Sequence, residues 1–269
     1  MRAQSVIAGP TQGARPLFWI VTAAGLAVIY APALYLLLAS LNPGRQLGLV
    51  APNAFSFVWY AALVDDRRLM AAFEESVLIG LATALVATPL GLSAALAYRA
   101  MRRLREAFLL VVLLAMFVPG AIQGLGLSAL LRAVAVKPSW LTAAAGHLVW
   151  VLPFAFTVSL VGLSTVKPVM IAAARDLGAS AWRAFVDVTL PLARGSLISS
   201  FLFSFLLSLN EFARAYYLVG RQNTLPLYLF GAMNSGASPT IYAFAGAVLL
   251  ASFFAVAVII ALGARSAET

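Results

Sequence analysis

Long uncharged apolar stretches alternate along the chain with short segments that carry most of the arginines. A helix needs about 20 mainly apolar residues to cross a bilayer core. Six runs reach that length: Leu17 to Leu41, Ser76 to Tyr98, Ala107 to Leu131, Leu141 to Leu163, Ser196 to Val219 and Ile241 to Leu262. The short apolar–polar alternation of an outer-membrane barrel strand is not seen. The pattern predicts an all-α polytopic membrane protein with six transmembrane helices. The first run, 25 residues flanked by Arg2 and Arg15, exceeds the hydrophobic region of a cleaved signal peptide and is read as a retained helix. Pro32, Pro89, Pro119 and Pro153 fall within the runs, where neighbouring helices can re-satisfy the freed carbonyls and bends are tolerated. The small residues of FVPGAIQGLGLSAL suit close helix contact.

Composition narrows the function. Hydrophobic residues make up 63% and charged residues 10%, where a soluble domain carries about 25% charged, which excludes an ordinary soluble enzyme. With no cysteine and one histidine, disulfide frameworks, thiolate metal sites and two-histidine metal motifs are excluded, and the chain is expected to bind no cofactor. The net charge of +9 sets orientation and does not point to nucleic acid. With the N-terminus inside, the cytoplasmic set is Arg2, Arg15, Arg99, Arg102, Arg103, Arg105, Lys167, Arg175, Arg183, Arg194 and Arg265, eleven residues. The outer set is six: Arg45, Arg67, Arg68, Arg132, Lys137 and Arg221. Since Lys and Arg collect on the cytoplasmic side, both termini are expected there, as tails 1–16 and 263–269 around a single membrane domain, 17–262. Asp65, Asp66, Arg67 and Arg68 read as a solvated outer loop. Only two lysines occur, Lys137 and Lys167, each before a proline, so no phosphate-binding loop exists and ATP is not hydrolysed by that route.

Most connections expected on the cytoplasmic side are short, but Ser164 to Gly195 runs for 32 residues and is patterned. Its core, VMIAAARDLGASAWRAFVDVTLPLARG, predicts two short amphipathic helices broken at Gly178, where glycine tolerates the positive φ of a reversal. Such a knob fits another protein's groove. Ala172-Ala173-Ala174, three residues, Gly178, nine residues and Val188-Thr189-Leu190-Pro191 together resemble the EAA loop of the membrane subunits of binding-protein-dependent ABC importers. The resemblance covers nearly the whole chain and is similar to the spermidine/putrescine-type branch through WYAALVDDRRLM, GHLVWVLPFAFTVSLVGL, AARDLGAS, SFLLSLNEFARAYYLVG and TLPLYLFGAMNSGASPTIYA.

That resemblance implies the type I importer permease (MetI-like) fold in a bacterial inner membrane. It implies a non-catalytic subunit forming half of a path for a small polar solute, beside a second, non-identical permease, over two ATP-binding subunits that hold ATP and Mg, and served by a periplasmic binding protein. Segment 164–195 would be the coupling loop, with Ala172, Ala173, Ala174, Arg175, Asp176, Gly178, Ala179, Trp182, Leu190 and Pro191 meeting the ATPase. The family's leading glutamate is Ala172 here, so docking would rest on shape, apolar contact and Arg175, Asp176 or Arg183. Polyamine is the implied solute; an opine, amino acid derivative or phosphonate is the alternative within the same machinery, and an ion-coupled secondary carrier with Glu211 as its ion site is the alternative of another class.

The fifth run alone carries charges, Glu211 and Arg214, predicted at i, i+3 on one helix face. Charge at membrane depth normally faces a bundle interior or a wet cavity. Asn210, Glu211, Arg214, Tyr217, Trp150 and His147 are therefore candidates for a translocation path or gate. A structural ion pair for Glu211 and Arg214, and simple packing for His147, stay open beside that reading.

Overall fold

The computed structural model describes residues 15–45, 48–236 and 238–266, the side chains of residues 15 and 255–266 excepted. Arg2, with the ends of both tails, lies outside the described residues. The described residues are helical with short connections: α1 (Arg15–Ala39), α2 (Val58–Ala62), α3 (Arg67–Ala100), α4 (Arg105–Phe117), α5 (Gly120–Ala133), α6 (Trp140–Leu163), α7 (Pro168–Asp176), α8 (Ala181–Ala184), α9 (Leu190–Leu209), α10 (Ala215–Leu218), α11 (Leu225–Asn234) and α12 (Pro239–Ser266). By length and hydropathy α3, α6, most of α1 and the continuous stretch Ala181–Leu209 can each cross a membrane, and α12 is apolar over its described part.

Two compact units are present. The larger, Arg67–Ala232, is built on the mutual packing of α3, α6 and α9. Their shared interior is small and partly hydroxylic: Ala84, Ala87, Ala143 and Ala155 are buried beside Ser159, Ser200 and Ser204. Without a hydrophobic drive between helices in lipid, close approach of small residues supplies the packing energy. Gly91 shows how close: a Cβ there would stand 2.6 Å from the backbone carbon of Ala155. Large apolar side chains such as Leu85, Ile122, Val161 and Leu202 point outward, an arrangement suited to lipid. In the other unit α12 packs on α1 and α2, Ser40 and Tyr60 share a 2.6 Å hydrogen bond, and Trp59 donates from Nε1 to the Asn42 carbonyl at 3.1 Å.

Four expectations change in detail. The third apolar run is not one straight helix: α4 and α5 meet at 98°. Val118, just before Pro119, is extended (φ −75°, ψ 124°), as steric clash with the proline ring demands. In the fifth run α9 stops at Leu209, so Glu211 and Arg214 stand in a break before α10 and not on a helix face. The second of the two helices expected around Gly178 is not a separate short one; α8 runs through a π turn, Phe185–Thr189, straight into α9, past Pro191. A proline removes the bond to residue i−4 and crowds that carbonyl, and the widened turn absorbs this by passing the Leu190 amide to Phe185 O. Finally, Arg67 and Arg68 open α3 instead of extending the loop of Asp65 and Asp66.

Candidate functional site

Two places gather the candidate residues. The first is the reversal between α7 and α8. Pro168 occupies the first turn of α7, where its missing N–H costs nothing. The far end closes as a Schellman turn: Gly178 N donates to Arg175 O at 2.9 Å and Ala179 N to Ala174 O at 3.0 Å, with Gly178 at φ +89°. The Ala172–Ala174 run thus supplies a thin helix end and one of the two capped carbonyls. Ser180 then caps α8 by accepting from Arg183 N at 3.2 Å.

The turn is closed by its own main chain, yet side chains are left bare. Leu177 is 91% exposed and Trp182 71%, flanked by exposed Ala172, Ala173, Arg175 and Asp176. A cleft of about 320 Å³ opens between Ala174, Gly178, Arg183 and Asp187. Behind it, Ile171, Phe185 and Leu190 pack onto a buried cluster of Tyr98, Phe156, Leu163 and Val166. Arg99, at the end of α3, donates to the carbonyls of Leu163 and Val166, tying α3 to the entry of this segment.

The second place is the break between α9 and α10. Asn210 ends α9, its Nδ2 donating back to Leu206 O at 2.9 Å. Glu211 accepts twice from Arg214: from the backbone N at 3.0 Å on Oε1 and from Nη1 at 2.8 Å on Oε2. Arg214 Nε donates to Gln123 Oε1 at 2.8 Å, and its guanidinium lies 4.8 Å from the Trp150 ring centroid. Gln123 Nε2 in turn donates to Ala115 O at 2.8 Å, bridging the bend between α4 and α5. Both helix breaks therefore meet at one polar cluster, which borders a cleft of about 430 Å³ lined by Pro119, Trp150, Asn210, Glu211, Phe212 and Arg214. Backbone freed at membrane depth must be paired internally, and these side chains do that.

Four of the six path candidates, Trp150, Asn210, Glu211 and Arg214, are brought together at this cleft. Tyr217 stands aside, its ring against Tyr216. His147 is buried and does not line the cleft; its Nδ1 shares a 2.7 Å hydrogen bond with Ser208, which donates on to Thr83 across α3, α6 and α9. Phe212, whose ring beside Glu211 suits a cationic solute, also lines the cleft; Gln123 was not anticipated, and its signal was a lone amide in an apolar run directly after Pro119-Gly120. Among the described residues no group of three or more metal-ligating side chains is clustered.

Comparison with known proteins gives a consistent result. The family described as "Binding-protein-dependent transport system inner membrane component" matches residues 87–266. The chain is similar to the putrescine transport system permease protein PotI of Escherichia coli K12, at 30% identity over 244 residues covering 86% of each chain. It is also similar to the spermidine/putrescine transport system permease protein PotC of Haemophilus influenzae, at 29% identity over 84% of this chain and 88% of that protein. Among solved structures, a bacterial ABC transporter involved in import of the acidic polysaccharide alginate shares the fold with a TM-score of 0.62 at 18% identity, over 96% of this chain and 98% of the other.

Proposed function

Because the chain belongs to the family of inner membrane components of binding-protein-dependent transport systems, we propose that it is the permease half of an ATP-driven importer whose solute is a polyamine. A periplasmic binding protein delivers the solute, a second permease completes the path, and two ATPase subunits bind ATP and Mg and grip the segment Pro168–Pro191. Both termini and that segment face the cytoplasm, in line with the distribution of arginines. The observation that carries the reading is the reversal at Gly178: a Schellman turn closes it while Leu177 and Trp182 stand bare above a buried cluster reaching α3 and α6. An exposed apolar tip on a firm base is what a docking element needs.

The polyamine assignment draws on the named relatives and on the cleft, where a carboxylate and aromatic faces, Glu211, Trp150 and Phe212, offer groups that attract ammonium. The test is uptake by proteoliposomes holding the four-subunit complex and its binding protein. Putrescine accumulation that requires internal ATP supports the proposal. Accumulation driven by an ion gradient without any ATPase contradicts it.

A further inference from the structure

A carboxylate beside an indole face is a recognition site for an organic cation. In this chain that site already holds one. The Arg214 guanidinium lies over Trp150 and on Glu211, and both oxygens of Glu211 are engaged by Arg214. Space for the guanidinium is built in, since a Cβ on Gly120 would stand 2.9 Å from Arg214 Nη1. The group is held at a further point by Gln123, and Arg214 is 3% exposed.

We propose that Arg214 is a tethered cation filling an ammonium site made by Glu211 and Trp150, so that a solute amine meets this carboxylate only by displacing the guanidinium. The inference rests on reading the cleft as part of the solute path.

The hydrogen bonds favour displacement of the cation over displacement of the anion. Glu211 Oε1 is held by the main-chain N–H of Arg214, which stays in place when the side chain leaves. The Arg214 side chain can swing into the adjoining cleft of about 430 Å³, and an incoming ammonium inherits Oε2 and the Trp150 face. An anionic solute would instead have to evict Glu211 and leave its carboxylate unpaired, which is costly in a buried site. Arg214 therefore acts as an internal competitor that weakens the hold of this subunit on an amine and lets the amine move on.

Equilibrium binding of radiolabelled putrescine to the purified permease–ATPase complex, without binding protein, tests this. Arg214→Gln should bind putrescine about tenfold more tightly than wild type. The gain should vanish in Glu211→Gln/Arg214→Gln and be absent for uncharged 1,4-butanediol. No gain in Arg214→Gln, or a gain that survives in the double variant, overturns the proposal. Should Arg214→Gln fail to assemble, Gln123→Leu keeps both charges and removes one hold on the guanidinium. A gain of about threefold there supports the proposal and none overturns it. Uptake by the wild-type complex with its binding protein is scored separately: failure to take up putrescine would remove the polyamine assignment without touching the binding result.

Discussion

The reversal at Gly178 and the break at Asn210–Arg214 both interrupt a helix, but they settle the freed groups in opposite ways. At Gly178 the main chain caps itself through a Schellman turn, and the side chains around it are left for something else to cover. At Asn210–Arg214 the side chains cap the chain, and Glu211 and Arg214 are buried against one another, 9% and 3% exposed. The contrast follows from solvent. A turn at a membrane surface has water for its polar groups and can offer apolar side chains to a partner, whereas a break inside the apolar region has to be self-sufficient. One region is built to be completed from outside, and the other to be complete already.

The comparison can be broken most severely at the second region. Glu211→Ala leaves Arg214 buried without its anion and is expected to cost about 3–5 kcal/mol, read as a lower thermal denaturation midpoint of the solubilised subunit. Glu211→Gln/Arg214→Gln should cost clearly less, and equal losses would mean that the ion pair does not hold the break. Next in size is Gly178→Val. A side chain forced into the left-handed region costs about 1–2 kcal/mol locally, and with open space around the position the subunit still inserts, yet uptake and co-purification of the ATPase are lost. Gly178→Asn, which tolerates that conformation, should retain more of both. Ser180→Ala removes the cap of α8 and is expected to cost about 1 kcal/mol, visible as weaker ATPase retention. Smallest in stability is Trp182→Ala, within about 0.5 kcal/mol because the ring is largely solvated. Its loss should still weaken ATPase capture, which separates docking from folding.

The apolar runs announced where membrane helices would be, because bilayer thickness converts directly into run length. They carried no information on direction. Hydropathy passes through Val118-Pro119-Gly120 without a mark, although the steric rule for the residue before proline was there to be applied. The break at Asn210 was harder to foresee, since no glycine or proline makes it; it arises from hydrogen bonds that Asn210 and Glu211 form only once α9 has ended. The helix after Gly178 was expected to be short and is not, because a π turn carries α8 past Pro191 into α9. The Gly178 turn was legible since its requirement is local, a positive φ at one residue. Gln123 was not, since its role depends on Arg214, 91 positions away.

The central claim, that the tip of the Gly178 reversal meets an ATPase, can be tested by placing single cysteines in this naturally cysteine-free chain. Leu177→Cys, at a position 91% exposed, and Val64→Cys, at one 78% exposed next to the Asp65–Asp66 segment that the sequence reads as an outer loop, are each treated with a short bifunctional reagent in the assembled transporter. An ATPase seated on the Gly178 tip gives a covalent adduct between the ATPase subunit and the Leu177→Cys permease and none with Val64→Cys. An assembled, transport-active complex in which Leu177→Cys forms no such adduct would contradict it.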